Sequence, residues 1–303
     1  MLTRRMTLAV ATIVATPLSV ALAEDWRAKY PELVYATVPA ENASGVADRY
    51  GPFISYLSRA LGVKVTLRIA TDYAAVIEGQ RAGNIHIAYY GPASYVRAYT
   101  VTNGGVEPFN TSINADGSIG YYSVAYVRSD DPAKSLEDLK GCNLGLVDPN
   151  STSGNNVPRF AMNKLGIDPN KFFAKAVYTG SHENALLALK QGTVDVAFNW
   201  WNSDTDSNLT RMANKNMVKV DDFRIVFRSD LIAGSPNAYL ASLPADMKAA
   251  IAKAFEEAPK ADKAAFDRLS DGKDLGFKQV THDDYKVVMD LQQFVDQLRK
   301  QRS

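Results

Sequence analysis

The sequence predicts an α/β protein built as two lobes around a cleft, and two observations carry that expectation. Strand-like and helix-like segments alternate as β-α-β-α-β over residues 32–90 with short connections, the pattern of parallel strands covered by crossover helices. A second run of the same kind starts near Tyr121 and reaches about residue 198, and the remainder is mostly helical.

Residues 32–40 (ELVYATVPA) are a β-branched and aromatic run that stops at Pro39. Over 46–61, Tyr50, Phe53, Ile54, Leu57 and Leu61 recur at helical spacing, and Gly62 ends the helix. Residues 63–69 alternate like a half-buried strand. Asp72 can cap a helix over 73–81 that Gly83 ends, and 85–90 is again a strand, closed by Gly91-Pro92. The polar, glycine-containing segment 112–120 suits a first crossing between lobes. In the second half strands are expected at 121–128, 143–147, 176–178, 194–198 and 223–227. Helices are expected at 135–139, from the 150–153 turn to about Leu165, and at 183–190, then at 245–257 and 285–298 in the tail. Lobe one is therefore expected over 28–118 and 225–303, and lobe two over 119–224. No internal repeat or low-complexity linker interrupts the chain.

Residues 1–23 read as a cleaved export signal: Arg4 and Arg5, an apolar stretch, then Ala21-Leu22-Ala23 as a small-x-small cleavage site. The apolar stretch is too short and too interrupted for a membrane span, and the paired arginines also permit twin-arginine export. Removing it takes away two Arg and no acid, leaving 32 basic against 33 acidic residues. That balance excludes a protein living by non-specific nucleic-acid binding. A single cysteine, Cys142, forbids an intrachain disulfide and a cysteine metal cluster. An exported chain without disulfides points to the bacterial periplasm.

The most informative segment is Asp148-Pro149-Asn150-Ser151-Thr152-Ser153-Gly154, between a strand and a helix. Three consecutive hydroxyls at a helix start, beside unpaired first-turn amides, form a receptor for a tetrahedral oxyanion. Plain N-capping needs only one hydroxyl and is the structural alternative. A second strand-to-helix turn, 178–184, places His182 at another helix start, where it either donates to the same anion or is a surface residue beside the caps Ser181 and Glu183.

Thr71-Asp72-Tyr73-Ala74, Tyr89-Tyr90-Gly91-Pro92, Gly120-Tyr121-Tyr122-Ser123, 148–154 and 180–186 occur in an order and spacing that resemble the periplasmic phosphonate-binding components of ABC transporters, in the phosphate/phosphite/phosphonate binding family. The resemblance spans about residues 32–243. It implies a two-lobed periplasmic binding protein of type II topology whose lobes close on the ligand. It also implies a solute-binding role, with a phosphonate as solute (phosphite or phosphate as alternatives) and a membrane permease as partner. No cofactor or metal is implied, and the assembly is a monomer or a dimer. Carried over by motif, Tyr73 and Tyr121 would hold the phosphonate oxygens from one side, and Ser151, Thr152, Ser153 and His182 from the other. Tyr90 is a further ligand-binding candidate from its motif.

Relatives that bind 2-aminoethylphosphonate place two carboxylates around the ammonium group. Here those places fall at Asn202 and Ser235, neither of them acidic. Either the ligand lacks an amine, or Asp204 or Asp206 supplies the charge from a shifted loop. Trp200 and Trp201 offer a third route, holding a cation over their rings at about 0.5–2 kcal/mol, unless they pack the lobe interface.

An enzyme is the rival of another class, because Ser151 or Ser153, His182 and Asp195 supply the residue types of a hydrolase triad. However, no G-x-S-x-G elbow occurs, and hydroxyls in series suit several oxygens better than one nucleophile. His86, His182 and His282 are isolated, without the spacing of metal ligands.

Overall fold

The computed structural model describes residues 25–300, so the expected export segment, 1–23, lies outside the described residues. After a short helix, α1 (Trp26–Lys29), the chain forms β1 (Glu32–Thr37) and α2 (Ala43–Leu61). Asn42 caps α2 by accepting the Gly45 amide at 2.9 Å, and Gly62 ends it in the left-handed region at φ 70°. The helix buries Tyr50, Phe53, Ile54, Leu57 and Leu61, the face that the apolar spacing predicts. Next come β2 (Lys64–Ile69), α3 (Tyr73–Arg81, with Asp72 accepting the Ala75 amide at 2.7 Å) and β3 (Ile87–Tyr89). Two elements absent from the sequence expectation follow, α4 (Pro92–Val101) and β4 (Val106–Asn114). Gly91-Pro92, read as a stop, is instead the N-cap and first residue of α4, where proline's missing N–H costs nothing.

The second sheet is built from β5 (Tyr122–Arg128), β6 (Asn143–Leu146), β7 (Lys175–Tyr178), β8 (Val196–Ser203), β9 (Asp206–Ser207) and β10 (Phe223–Arg228). A π-helical turn, Thr152–Asn156, leads into α5 (Val157–Lys164), and α6 (Pro169–Phe172), α7 (His182–Lys190) and α8 (Asn208–Asn214) complete this half. The tail holds β11 (Pro236–Leu240), α9 (Ala245–Ala261), α10 (Lys263–Ser270), β12 (Asp274–Gln279) and α11 (Lys286–Lys300). The tail is thus not simply helical. Both of its strands return to the first sheet.

The sheet orders are β12-β4-β11-β3-β1-β2 and β10-β5-β8-β6-β7. In each, three strands are parallel, and the first strand formed after a crossing inserts antiparallel beside them: β11 against β3, and β5 against β8. The sheets are therefore mixed rather than parallel throughout, and the two halves repeat one topology. Because β10 pairs with β5, the boundary expected at 225 falls inside a strand of the second sheet, and the return crossing runs through 229–235. The two crossings lie side by side, with the Tyr121 and Ile232 amides donating to each other's carbonyls at 3.1 and 2.8 Å. Gly120 permits this: a Cβ there would sit 2.4 Å from the Ile232 carbonyl oxygen, at a φ of 133° that side chains avoid.

Phe53, Phe109, Phe255 and Phe277 interlock edge-to-face at 5.1–5.3 Å around Phe255, giving the first half a dense core. A separate core of Leu144, Met162, Val196 and Phe198 lies in the second half. Helix α11 touches both halves. Its Asp296 accepts from Arg97 on α4 at 2.6 and 2.8 Å, and its Phe294 ring meets Phe160 of α5 at 5.4 Å. No helix among the described residues is long and apolar enough to cross a membrane.

Candidate ligand-binding cleft

A cavity of about 140 Å³ lies between the two sheets. Its walls come from the carboxyl ends of the parallel strands: Val38 and Ala40 after β1, Tyr73 after β2, Tyr89 from β3, and Ser151, Thr152 and Ser153 after β6. Trp200 and Asn202 from β8 and His182 after β7 add to them, and the crossings contribute Tyr121 and Ser235. Open α/β sheets place ligands outside these strand ends, because helix N-termini converge there.

The hydroxyl turn is rigidly held. Ser151 caps it, its Oγ accepting the Gly154 amide at 3.1 Å, and Asn156 Nδ2 donates to the Ser151 carbonyl at 2.9 Å. From β5, Ser123 Oγ donates to the Ser153 carbonyl at 2.6 Å. Gly154 is required, since a Cβ would stand 2.4 Å from Val147. The amides opening such a turn have no acceptor within it, and capping uses only that of Gly154. Ser151 therefore caps the turn and still lines the cavity, so the two readings of this segment are compatible.

Burial keeps the cleft's phenols protonated. The Tyr121 hydroxyl is pushed up to about 12, against the pull of hydrogen bonds from Thr152, Ser153 and Ser235, and those of Tyr73 and Tyr89 are raised further. Burial pushes His182 the other way, to about 3, so its imidazole is neutral. Its Nε2 lies 3.4 Å from Ser151 Oγ, and its Nδ1 is buried without a partner. The cleft thus presents neutral hydrogen-bond donors.

Charge enters through Arg49, Arg211 and Asp274. Arg49 donates to Glu41 at 2.6 Å and to the Leu269 carbonyl at 2.8 Å. Arg211 lies 3.3 Å from Asp271 and 3.9 Å from Asp206, with its guanidinium 4.7 Å above the Trp200 ring. Asp274 has no ion-pair partner among the described residues.

The two halves are in direct contact around the cavity. Thr152 Oγ1 accepts the Ala93 amide of α4 at 2.9 Å. Lys215, after α8, bridges Glu41 at 2.6 Å and Glu183 at 3.0 Å, while the Asn42 amide donates to Glu183 at 2.8 Å. Burial raises Glu41, but Arg49 and Lys215 outweigh it and hold the carboxyl down at about 2.

Nine of the eleven ligand candidates read from the sequence line this cavity: Tyr73, Tyr121, Ser151, Thr152, Ser153, His182, Trp200, Asn202 and Ser235. Tyr90 and Trp201 do not. Tyr90 faces away, its hydroxyl 3.1 Å from Gln80 Oε1 on α3, and its neighbour Tyr89 takes the cavity position. Trp201 packs edge-on against Tyr122 at 5.7 Å, on the strand face opposite Trp200 and Asn202. Asp204 is exposed, and Asp206 is occupied by Asn202 Nδ2 at 2.6 Å. Sequence reasoning missed Arg49, Arg211 and Asp274, which sit mid-helix or at a strand end with no motif around them, and chose Tyr90 over Tyr89 within their shared motif.

The hydrolase triad does not assemble: Asp195 precedes β8, at the end opposite the cleft, where it accepts the Asn143 amide at 2.8 Å and pairs with Arg128. The other two histidines are engaged within the first half. His86 Nδ1 accepts the Val34 amide at 3.0 Å, and His282 Nδ1 is 2.7 Å from the Tyr95 hydroxyl. No metal-binding group of acidic, His and Cys side chains occurs among the described residues.

Two sheets of one topology, joined by paired crossings and closed over a cavity rich in hydroxyl donors, define a two-lobed solute-binding protein of the periplasmic type. Comparison with known families narrows this. The chain belongs to the ABC transporter phosphonate periplasmic substrate-binding protein family, which it matches over residues 35–285. It is 34% identical over 246 residues to the phosphonates-binding periplasmic protein of Escherichia coli, covering 78% of this chain and 70% of that one. It is 32% identical over 277 residues to the phosphate-import protein PhnD of Mycolicibacterium smegmatis, covering 86% and 84%. A crystal structure of a binding component of an ABC phosphonate transporter from Pseudomonas aeruginosa superposes with a TM-score of 0.78 at 28% identity, covering 87% and 86%. The family consists of substrate-binding components rather than enzymes.

Proposed function

We propose that this chain captures a phosphonate in the periplasm, between its two lobes, and delivers it to the membrane permease of an ABC importer. The observation carrying this reading is the Ser151-Thr152-Ser153 turn, lining one cavity with the buried hydroxyls of Tyr73 and Tyr121. Dehydrating a charged tetrahedral head group is costly, and many preorganised neutral donors at helix ends offset it through charge-assisted hydrogen bonds. The lobes, hinged at the crossings 115–121 and 229–235, close on the solute so that both contribute donors. Residues 1–23 would direct export.

Phosphate is the second reading, favoured by the phosphate-import relative from M. smegmatis. Against it, Leu269 and Phe277 also line the cavity, and an inorganic anion leaves such apolar surface without a partner. Calorimetry with methylphosphonate, phosphite and phosphate decides. Tightest binding of methylphosphonate supports the proposal, and tightest binding of phosphate replaces it. Recovery of hydrolysis products from phosphonate esters would restore an enzymatic role.

A further inference from the structure

Three helices of the first half start with an amide that their own segments leave uncapped. Helix α4 has Gly91 at its N-cap, and α2 has Gly45 at its third position, where a glutamate would ordinarily reach back to the N-cap amide. A side chain at Gly45 would run into an ion pair instead, its Cβ 2.7 Å from Glu41 Oε2 and 2.8 Å from Lys215 Nζ. In α3, Asp72 accepts the Ala75 amide, which leaves that of Tyr73. The second half supplies all three acceptors. Glu183, in the first turn of α7, accepts the Asn42 backbone amide at 2.8 Å and the Asn42 side-chain amide at 2.9 Å. Asp148, after β6, accepts the Tyr73 amide together with that of Asn150, and Thr152 accepts that of Ala93. In return, the Glu183 amide donates to the Ala40 carbonyl at 3.3 Å.

We infer that Glu183 and Asp148 are positioning residues for solute retention: they stand outside the cavity and, by capping α2 and α3 from the opposite lobe, hold the cleft shut. Neither lines the cavity, and both are buried, Glu183 at 2% and Asp148 at 8% exposure. The role rests on the lobe closure proposed above, not on which solute the cleft holds. Charge-assisted hydrogen bonds to helix-start amides are strong, and the helix dipole adds to them. A cap from within the same helix would stabilise the open and closed forms alike, whereas a cap from the other lobe stabilises only the closed one. Lys215, 3.0 Å from Glu183 and 2.6 Å from Glu41, ties the Glu183 carboxylate to a second point of the first half. Asp148 has no such cation and works against the charge of Asp72, so Glu183 carries more of the latch. For a captured solute, the latch acts on release rather than on encounter, because encounter takes place while the lobes are apart.

The test follows methylphosphonate binding and release by stopped-flow tryptophan fluorescence, with Trp200 in the cavity wall as reporter, and measures the ligand-free radius by small-angle scattering. Glu183→Ala should raise the release rate about tenfold, leave the association rate within about threefold of wild type and enlarge the ligand-free radius. Asp148→Asn should move the same quantities by less. Saturating methylphosphonate should bring wild type and both variants to one radius. A merely structural role would lower the melting temperature without moving the ligand-free radius. Unchanged release rate and radius in Glu183→Ala would overturn the inference and leave the phosphonate reading intact. Failure of methylphosphonate to bind the wild type would remove the phosphonate reading, and the ligand-free radii would then decide the latch alone. If Glu183→Ala proves unfolded by circular dichroism, Asp148→Asn carries the test, and unfolding of both would mark the carboxylates as structural and overturn the inference.

Discussion

Thr152 reaches across the cleft: its Oγ1 accepts the backbone amide of Ala93 at 2.9 Å, joining the hydroxyl turn of one half to the N-terminus of α4 in the other. The N-cap of that helix is Gly91, which has no side chain to satisfy the first-turn amides, so Thr152 does this from the opposite lobe. The approach is tight, since a Cβ on Gly91 would come within 2.9 Å of the same oxygen. The oxygen accepts from Ala93, and the same hydroxyl also hydrogen-bonds Tyr121 in the cavity wall. One side chain therefore joins the two lobes at the cavity wall.

Thr152→Val, which keeps the shape and removes the hydroxyl, should weaken methylphosphonate binding by about 1–3 kcal/mol, because the bridge and a charge-assisted hydrogen bond go together. Thr152→Ser should stay within a few-fold of wild type. Titration calorimetry on both variants checks this, and equal affinities for Val and wild type would detach the turn from the ligand. Ser151→Ala should lose a similar amount and also loosen the turn, whose Gly154 amide it caps at 3.1 Å.

The adjacent tyrosines at the end of β3, Tyr89 and Tyr90, are expected to behave oppositely. Tyr89 lines the cavity and Tyr90 bonds to Gln80 behind the sheet, so Tyr89→Phe should reduce phosphonate affinity while Tyr90→Phe leaves it unchanged. Tyr90→Phe should instead lower stability by about 0.5–1.5 kcal/mol through the lost buried hydrogen bond. Affinity and melting temperature measured on the same pair separate the two roles.

That pair also shows where sequence reading reaches its limit. The strand 85–90 was legible, because an apolar run between a helix stop and Gly-Pro leaves little choice. Which of two identical neighbours faces the cavity was not, since the phase of a two-residue alternation is set by how the sheet packs. The Trp200-Trp201 doublet of β8 divides in the same way. The hydroxyl turn was legible because its chemistry is contiguous. Arg49, Arg211 and Asp274 come from segments more than 60 residues apart, and only the returning strand β12 brings Asp274 to the cleft. Strands β11 and β12 themselves escaped notice, being short pieces of five and six residues that complete a sheet begun far upstream.

Closure on the α2 side depends on Lys215, which bridges the nearly fully buried Glu41 and Glu183. Removing the ammonium leaves two carboxylates facing each other, with only Arg49 to compensate Glu41. Opening the cleft would rehydrate them, so the penalty falls on the closed state rather than on either lobe. Lys215→Met should therefore lower phosphonate affinity by about 1–3 kcal/mol, a range that allows for the partial exposure of the lysine, and change the melting temperature little. Small-angle scattering of the ligand-free variant should show a larger radius than wild type, and an unchanged radius with unchanged affinity would deny Lys215 this role.

Acid should act on this protein through His182 and Glu41, and base through Asp274. Unfolded, His182 takes up a proton below about 6.5, but folded it does so only near 3 because burial disfavours the imidazolium. The unfolded state then binds more protons in that interval, and stability falls as pH drops through it. Glu41 works in the same direction lower down, since its carboxyl titrates at about 2 instead of 4.5. Asp274 has the opposite sign: raised from 3.8 to about 6, it favours folding below 3.8 and loses that contribution as pH rises through 6. Melting temperatures across pH 4–8 should accordingly show Asp274→Asn gaining on wild type at pH 8 and not at pH 4. His182→Gln should flatten the decline below pH 6.5, because an amide has no proton to take up. If His182→Gln follows the wild-type curve at every pH, His182 is not held neutral in the fold, and its place as a neutral donor in the cleft fails with it.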